Sequence, residues 1–375
     1  MAGIYIHIPF CRQACYYCDF HFSVNRDVKP EMTTAIAKEL VLQKNYLAGE
    51  VIDTLYLGGG TPSLLTADEL QLLVHTIRSA YPVSPDAEFT VEANPDDLTP
   101  EKLKQLKSAG VNRLSIGIQT FHTGRLKFLN RIHDEASAIK SFYDAREAGF
   151  ENISIDLMYA LPGETPDDWI VDITHAINLD PEHISCYSLT IEPRTAFGKW
   201  AATGKLKPES DDVAAKHLEM LMERLPSAGY EHYEISNFAK PGFQSKHNSS
   251  YWRGVKYLGV GPSAHSFNGE SRQYNVTNNH AYIKSLASND IPFEKETLTR
   301  ENQVNEYILT SLRTSWGTDL KFLKQRFAYD LMAENRDYIS GLLDKRLLTF
   351  DGDVLKLTHA GKLFADKISS DLFLT

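Results

Sequence analysis

Thiols are scarce in this chain: four cysteines in 375 residues, three of them at Cys11, Cys15 and Cys18. So few make a disulfide framework the weakest reading, and with nothing secretory about the sequence the thiols are expected to be reduced, in the cytoplasm. Long apolar runs are lacking as well. No stretch approaches the ~18 residues of a membrane span, and Met1-Ala2-Gly3-Ile4-Tyr5-Ile6 carries no basic leader before its apolar run stops at Pro9. There is no block of like charge, no low-complexity tract and no short internal repeat. Lys and Arg number 39 against 49 Asp and Glu, a net charge of −10, which speaks against a nucleic-acid partner. What remains is the composition of a globular protein, 42% hydrophobic and 23% charged. The length exceeds the ~250–300 residues at which single cores stop growing, so a large domain with an appendage is expected.

The cysteines are spaced Cys11-x3-Cys15-x2-Cys18, and the fourth, Cys186, is remote and sits in an apolar segment where a small buried side chain is expected. Structural zinc and ordinary iron–sulfur centres take four protein ligands. Three thiolates suit a cubane with one open iron, the arrangement that S-adenosylmethionine (SAM) chemistry needs. Zinc completed by His7 and His21 is the alternative.

Strand-like segments at Ile4–Ile8, Thr54–Leu57, Glu88–Glu92, Arg113–Ile118, Asn152–Leu157 and His183–Leu189 alternate mostly with helical patterns. Such alternation implies a parallel sheet in an α/β fold, either a partial barrel or an open doubly wound sheet. Helix starts are marked by a capping box at Thr66-x-x-Glu69, by Thr99-Pro100, and by Asp134. The unusual residues favour the barrel, because they fall where the first five strands end: the cysteine loop, Gly58-Gly59-Gly60-Thr61-Pro62, Glu92, Gln119 and Asp156. Taken singly, each has a plain structural explanation. Five in register on one rim point to a site.

Together, Tyr5-Ile6-His7-Ile8-Pro9-Phe10-Cys11, Gly58 to Ser63, Gly117-Ile118-Gln119, Asn130-Arg131 and Asp156 to Gly163 resemble the radical SAM superfamily over nearly the whole chain. More narrowly, they resemble the oxygen-independent coproporphyrinogen III oxidase family, which includes haem chaperones of the HemW type. The resemblance implies a partial (β/α)6 TIM-like barrel over residues 1–235, a connecting segment over 236–290, and a smaller, mainly helical, winged-helix-like C-terminal domain over 291–375. It implies a [4Fe–4S] cluster on Cys11, Cys15 and Cys18 whose open iron takes the amino and carboxylate groups of SAM. Gly59, Gly60 and Thr61 would line the amino group, Arg131 would pair with the carboxylate, Glu92, Gln119 and Asp156 would hold the ribose side, and Tyr5 would lie beside the cluster. These residue types suit the ligand: glycine admits close backbone approach, arginine forks onto a carboxylate, and carboxylates accept from hydroxyls.

The sequence departs from the oxidase pattern in having Asp19 and Phe20 where the oxidases continue Cys-x-Cys, and in reaching Tyr5 without their N-terminal extension. Both departures favour the chaperone branch, as does His247-Asn248-x-x-Tyr251-Trp252, a motif associated there with haem binding. His247 is the candidate axial ligand, with Asn248 beside it and Tyr251 and Trp252 as walls; His265 is a weaker candidate. Arg194 stands where relatives usually carry glycine, so an altered turn is expected. The C-terminal pattern is helical over Glu301–Thr314, Leu320–Phe327 and Leu331–Leu343, with a hairpin over Leu347–Leu357 and a last helix from His359. Its 10 basic and 11 acidic side chains over 301–375 suit docking more than DNA. The expected function is delivery of haem to a haem protein, for example a respiratory enzyme. The alternative is radical decarboxylation of coproporphyrinogen III propionates.

Overall fold

A computed structural model describes residues 2–374. Six parallel strands follow one another in sequence order: β1 (Ala2–Ile8), β2 (Ile52–Gly59), β3 (Val83–Ala93), β4 (Arg113–Gln119), β5 (Ile153–Tyr159) and β6 (His183–Ser188). The helices between them begin as the sequence predicts. Thr66 and Glu69 form a reciprocal capping box, the Thr99 side chain accepts from the Lys102 amide ahead of Pro100, and Asp134 is boxed with Ser137.

The period-2 alternation of the strands sorts their side chains. Ile4, Ile6 and Ile8, Leu55 and Leu57, Phe89 and Val91, Leu114 and Ile116, Ile153 and Ile155, and Ile184 and Cys186 join a core with helix residues such as Ile36, Leu73, Leu106, Phe142 and Trp169. Cys186 is fully buried there. The opposite face is polar: Tyr5 and His7, Thr54 and Tyr56, Glu88, Thr90 and Glu92, Arg113 and Ser115, Ser154 and Asp156, His183 and Ser185. A sheet with apolar residues outward beneath helices and polar residues inward encloses a site.

Residues 236–290 do more than connect. Beyond β6 lie β7 (Glu231–Glu234) and β8 (Asn237–Ala239), and beyond β1 lie β9 (Tyr257–Val260), β10 (His265–Phe267), β11 (Ser271–Asn275) and β12 (Phe293–Thr297). β9 runs parallel to β1, with Gly3 opposite Tyr257; the other added strands are antiparallel. All twelve form one sheet in the order β12-β11-β10-β9-β1-β2-β3-β4-β5-β6-β8-β7.

The C-terminal part has its own core, including Val304, Ile308, Leu323, Ile339 and Leu355, and a three-stranded sheet whose hairpin pairs Leu348–Asp351 with Val354–Leu357. The helix expected over Leu331–Leu343 is two, Leu331–Glu334 and Arg336–Asp344. It breaks at Asn335, whose backbone leaves helical geometry at φ −123 and ψ 27 and whose side-chain amide donates to the Tyr329 hydroxyl. This part docks on the barrel through Ser315 N–H to Tyr233 O (2.9 Å) and Arg313 to the buried Glu234 (3.1 Å). Among the described residues no helix is long and apolar enough to cross a membrane.

Candidate SAM and cluster site

A cavity of about 610 Å³ opens at the C-terminal ends of the strands and reaches into the polar interior. Of the fifteen residues that the resemblance assigns to cluster, SAM or haem, eleven line it: Cys11, Cys15, Cys18, Gly59, Gly60, Thr61, Glu92, Gln119, Arg131, Asp156 and Asn248. Tyr5, His247, Tyr251 and Trp252 do not.

The glycine loop docks on the cysteine loop through backbone bonds, Gly60 N–H to Ile8 O (2.9 Å) and Thr61 N–H to Phe10 O (2.7 Å). A Cβ on Gly60 would meet the Ile8 and Phe10 carbonyl oxygens at 2.7 Å, and Gly59 sits at φ +101, so neither position admits another residue without strain. Thr61 donates to the Cys11 sulfur (3.4 Å), and Arg131 donates from Nη1 to the Cys15 sulfur (3.6 Å). Burial pushes the Cys11 thiol up to about 11 and the Cys18 thiol to about 12. Free thiolates are therefore disfavoured in this pocket, and a bound metal would have to displace their protons.

The three thiols share a cavity wall, yet among the described residues no three His, Cys, Asp or Glu side chains converge as one metal ion requires. His7 and His21, which would complete a zinc site, are committed elsewhere. His7 Nε2 donates to the His21 carbonyl (2.8 Å), His7 Nδ1 lies 3.2 Å from the Tyr5 hydroxyl, and His21 Nε2 lies 2.7 Å from Asn279 Oδ1. Thiols spread around a cavity fit a cubane, in which each holds its own iron, better than zinc.

Arg131 is fixed by Gly117 O (2.6 Å) and Asn94 Oδ1 (2.8 Å), both on Nη2. Glu92 accepts from the Tyr56 hydroxyl (2.7 Å) and the Gly59 amide (3.2 Å); burial raises it to about 7. Asp156 accepts from Ser115 (3.2 Å) and is raised by burial to about 6. Gln119 ends β4 at φ +71, a left-handed conformation uncommon for a residue with a side chain, where the register with β5 shifts.

A family described as the Radical SAM superfamily matches residues 5–175, and the HemN C-terminal domain matches 298–364. The haem chaperone HemW of Bacillus subtilis (strain 168) is 38% identical over 371 residues, covering 98% of both chains. The chain belongs to the HemW family. The HemW of Lactococcus lactis is 37% identical over 95% of this chain and 93% of its own, and that of Mycobacterium tuberculosis is 34% identical over 98% and 93%. Among solved structures, the radical SAM enzyme coproporphyrinogen III oxidase (HemN) of Escherichia coli matches with a TM-score of 0.85 at 26% identity, over 99% of this chain and 90% of that one.

In this HemW-family chain, Phe20 lines the cavity mouth at 72% exposure. Arg194 forks onto Asp19 (2.8 and 3.2 Å), tying the cysteine loop to the segment after β6, although at 81% exposure the pair adds little stability.

The His247-to-Trp252 segment itself lies at the opposite end of the barrel. Its helix, Lys246–Trp252, is capped by Glu88, which accepts the Lys246 and His247 amides at 3.0 Å each. His247 points into the interior at 1% exposure, stacked 5.0 Å from the Tyr56 ring, with Nδ1 2.8 Å from the Thr54 hydroxyl and Nε2 2.8 Å from the Tyr251 hydroxyl. Both ring nitrogens are taken, so in this conformation His247 has none free for iron. Tyr251 packs on Tyr257 and Trp252 beside Tyr233 and Trp316. Only Asn248 reaches the cavity. His265 is exposed on β10, away from the cavity.

Sequence reasoning missed Arg113, Ser115, Ser185 and Asn94 as parts of the cavity. Arg113 and Ser115 were readable in Arg-Leu-Ser-Ile-Gly-Ile, where polar residues alternate with apolar ones on a strand otherwise buried.

Proposed function

We propose that this chain is a cytoplasmic haem chaperone that carries a [4Fe–4S] cluster on Cys11, Cys15 and Cys18, binds SAM beside it, and hands haem to a haem-using acceptor. The observation that carries the cluster reading is the set of three thiols on the wall of a cavity with no fourth cysteine within reach. A reduced cluster, when bound, would supply the electron for SAM cleavage. The chain's own residues do the rest: Gly59 and Gly60 leave room for the methionine end, Arg131 presents a fixed cation, and Glu92 and Asp156 offer acceptors for ribose hydroxyls. Haem comes to this reading from the name shared by the relatives.

As for the axial ligand, His247 could serve only if its helix withdrew from the barrel and exchanged the Thr54 or Tyr251 bond for iron. The second reading, coproporphyrinogen III decarboxylation, is favoured by the whole-chain structural likeness to the oxidase and opposed by Phe20, which stands where the oxidases have a further cysteine.

The test is anaerobic reconstitution followed by electron paramagnetic resonance of the reduced protein with and without SAM. SAM should perturb the cluster signal, and Cys15→Ala should lose the cluster. An unperturbed signal, or unchanged iron in the variant, refutes the site. Turnover of coproporphyrinogen III with SAM and a reductant would establish the second reading instead.

A further inference from the structure

Arg113 opens β4, is 1% exposed, and lines the cavity, yet among the described residues its guanidinium has no hydrogen-bond or ion-pair partner. Its Nε is buried without a partner. Arg131, on the same cavity, is by contrast held by three partners, Gly117, Asn94 and Cys15. A buried guanidinium is costly unless its five donors find acceptors, so a free one facing a cavity marks where a ligand supplies them.

Its surroundings say what that ligand offers. Glu92 on β3 and Asp156 on β5 flank β4 and line the same inner part of the cavity, near enough for the Arg113 charge to favour their ionised forms, though neither forms an ion pair with it. Two carboxylates and one guanidinium thus face a shared space without touching. A hydroxyl group has one hydrogen to give and two lone pairs to receive with. A vicinal diol set here would give its hydrogens to the carboxylates and leave its oxygens facing the free fork of Arg113.

We propose that Arg113 is the donor arm of a diol subsite at the inner end of the cavity, completing with Glu92 and Asp156 the grip on a ligand's 2′,3′-hydroxyls. The proposal rests on the reading of this cavity as the SAM site and assigns a residue that the sequence did not single out. Ser115, which donates to Asp156, orients one acceptor. The guanidinium discriminates between a ribose and its deoxy form, because without a hydroxyl oxygen it stays buried and unpaired.

The experiment measures equilibrium binding of SAM and of its 2′-deoxy counterpart to the full-length, anaerobically reconstituted protein, as wild type, Arg113→Gln and Arg113→Lys. Wild type should favour SAM over the deoxy form by about tenfold or more. Arg113→Gln should weaken SAM by about tenfold to a hundredfold while shrinking that preference to within about threefold. Arg113→Lys keeps the buried charge but cannot fork, and should recover part of the affinity and little of the preference. An Arg113→Gln protein with the wild-type preference overturns the proposal, whatever its absolute affinity. Should the Gln variant not fold, a Lys variant with undiminished preference does the same. Cluster-loaded wild type that binds no SAM overturns the parent reading and this one together, whereas normal SAM binding with Arg113 indifferent overturns this one alone.

Discussion

His247 Nε2 lies 2.8 Å from the hydroxyl of Tyr251 one helical turn on, while Nδ1 lies 2.8 Å from Thr54 on β2. The ring thus bolts the motif helix to the floor of the barrel, and Glu88 clamps the helix start from β3. His247 and its helix are, in this conformation, a stopper for the end of the barrel remote from the cysteines.

His247→Ala removes both bonds and leaves a void, and should cost about 2–5 kcal/mol of stability, measured by chemical denaturation. Tyr251→Phe strands one buried nitrogen and should cost about 1–3 kcal/mol. In both, haem bound per folded molecule should be unchanged. Loss of haem binding at wild-type stability would mean that the helix opens and that His247 ligates iron.

Gly60→Ala puts a methyl group against the Ile8 and Phe10 carbonyls. Backbone cannot move aside as a side chain can, so the glycine loop and the cysteine loop must part. The variant should retain little iron after reconstitution and lose about 1–3 kcal/mol of stability. Full iron content would show that the two loops are not coupled.

Glu92 is raised to about 7 by burial, against ~4.3 in an unfolded chain. Between those values the folded state holds a proton that the unfolded state has released, so the residue costs stability as the pH rises from ~4.5 to 7. Glu92→Gln lacks this cost. Its stability relative to wild type should rise by up to about 3 kcal/mol between pH 4.5 and 8, in paired denaturation curves. The buried His7 and His247, lowered by burial to about 4 and 3, act in the opposite sense, losing stability as the pH falls below ~6.5, but they cancel in the difference. A flat difference would mean that Glu92 is ionised in the empty site.

The six parallel strands and the cysteine and glycine loops were legible because each is local: a period-2 run, a ligand spacing, a cap. Each of the five predicted strand ends contributes residues to the cavity because a strand end fixes where the following loop begins. The strands β7 to β12 were not legible. They are three to five residues long, and β9 enters the sheet against β1, some 250 residues earlier in the chain. The setting of His247 was hidden for the same reason. Its motif reads as a loop of ligand-like residues until Glu88 and Thr54, far away in sequence, are seen to hold it. Arg113 was overlooked because a single charge at the start of a strand resembles a surface residue, although its alternation with Leu114 and Ile116 already sets it on the same face as Ser115.

The central claim is that a radical SAM scaffold here handles haem. The direct test is titration of haem into the anaerobic, cluster-loaded protein, followed by the Soret absorbance. The account predicts saturable, stoichiometric binding by a protein that leaves coproporphyrinogen III unchanged. Absence of saturable binding, with decarboxylation of coproporphyrinogen III, would contradict it.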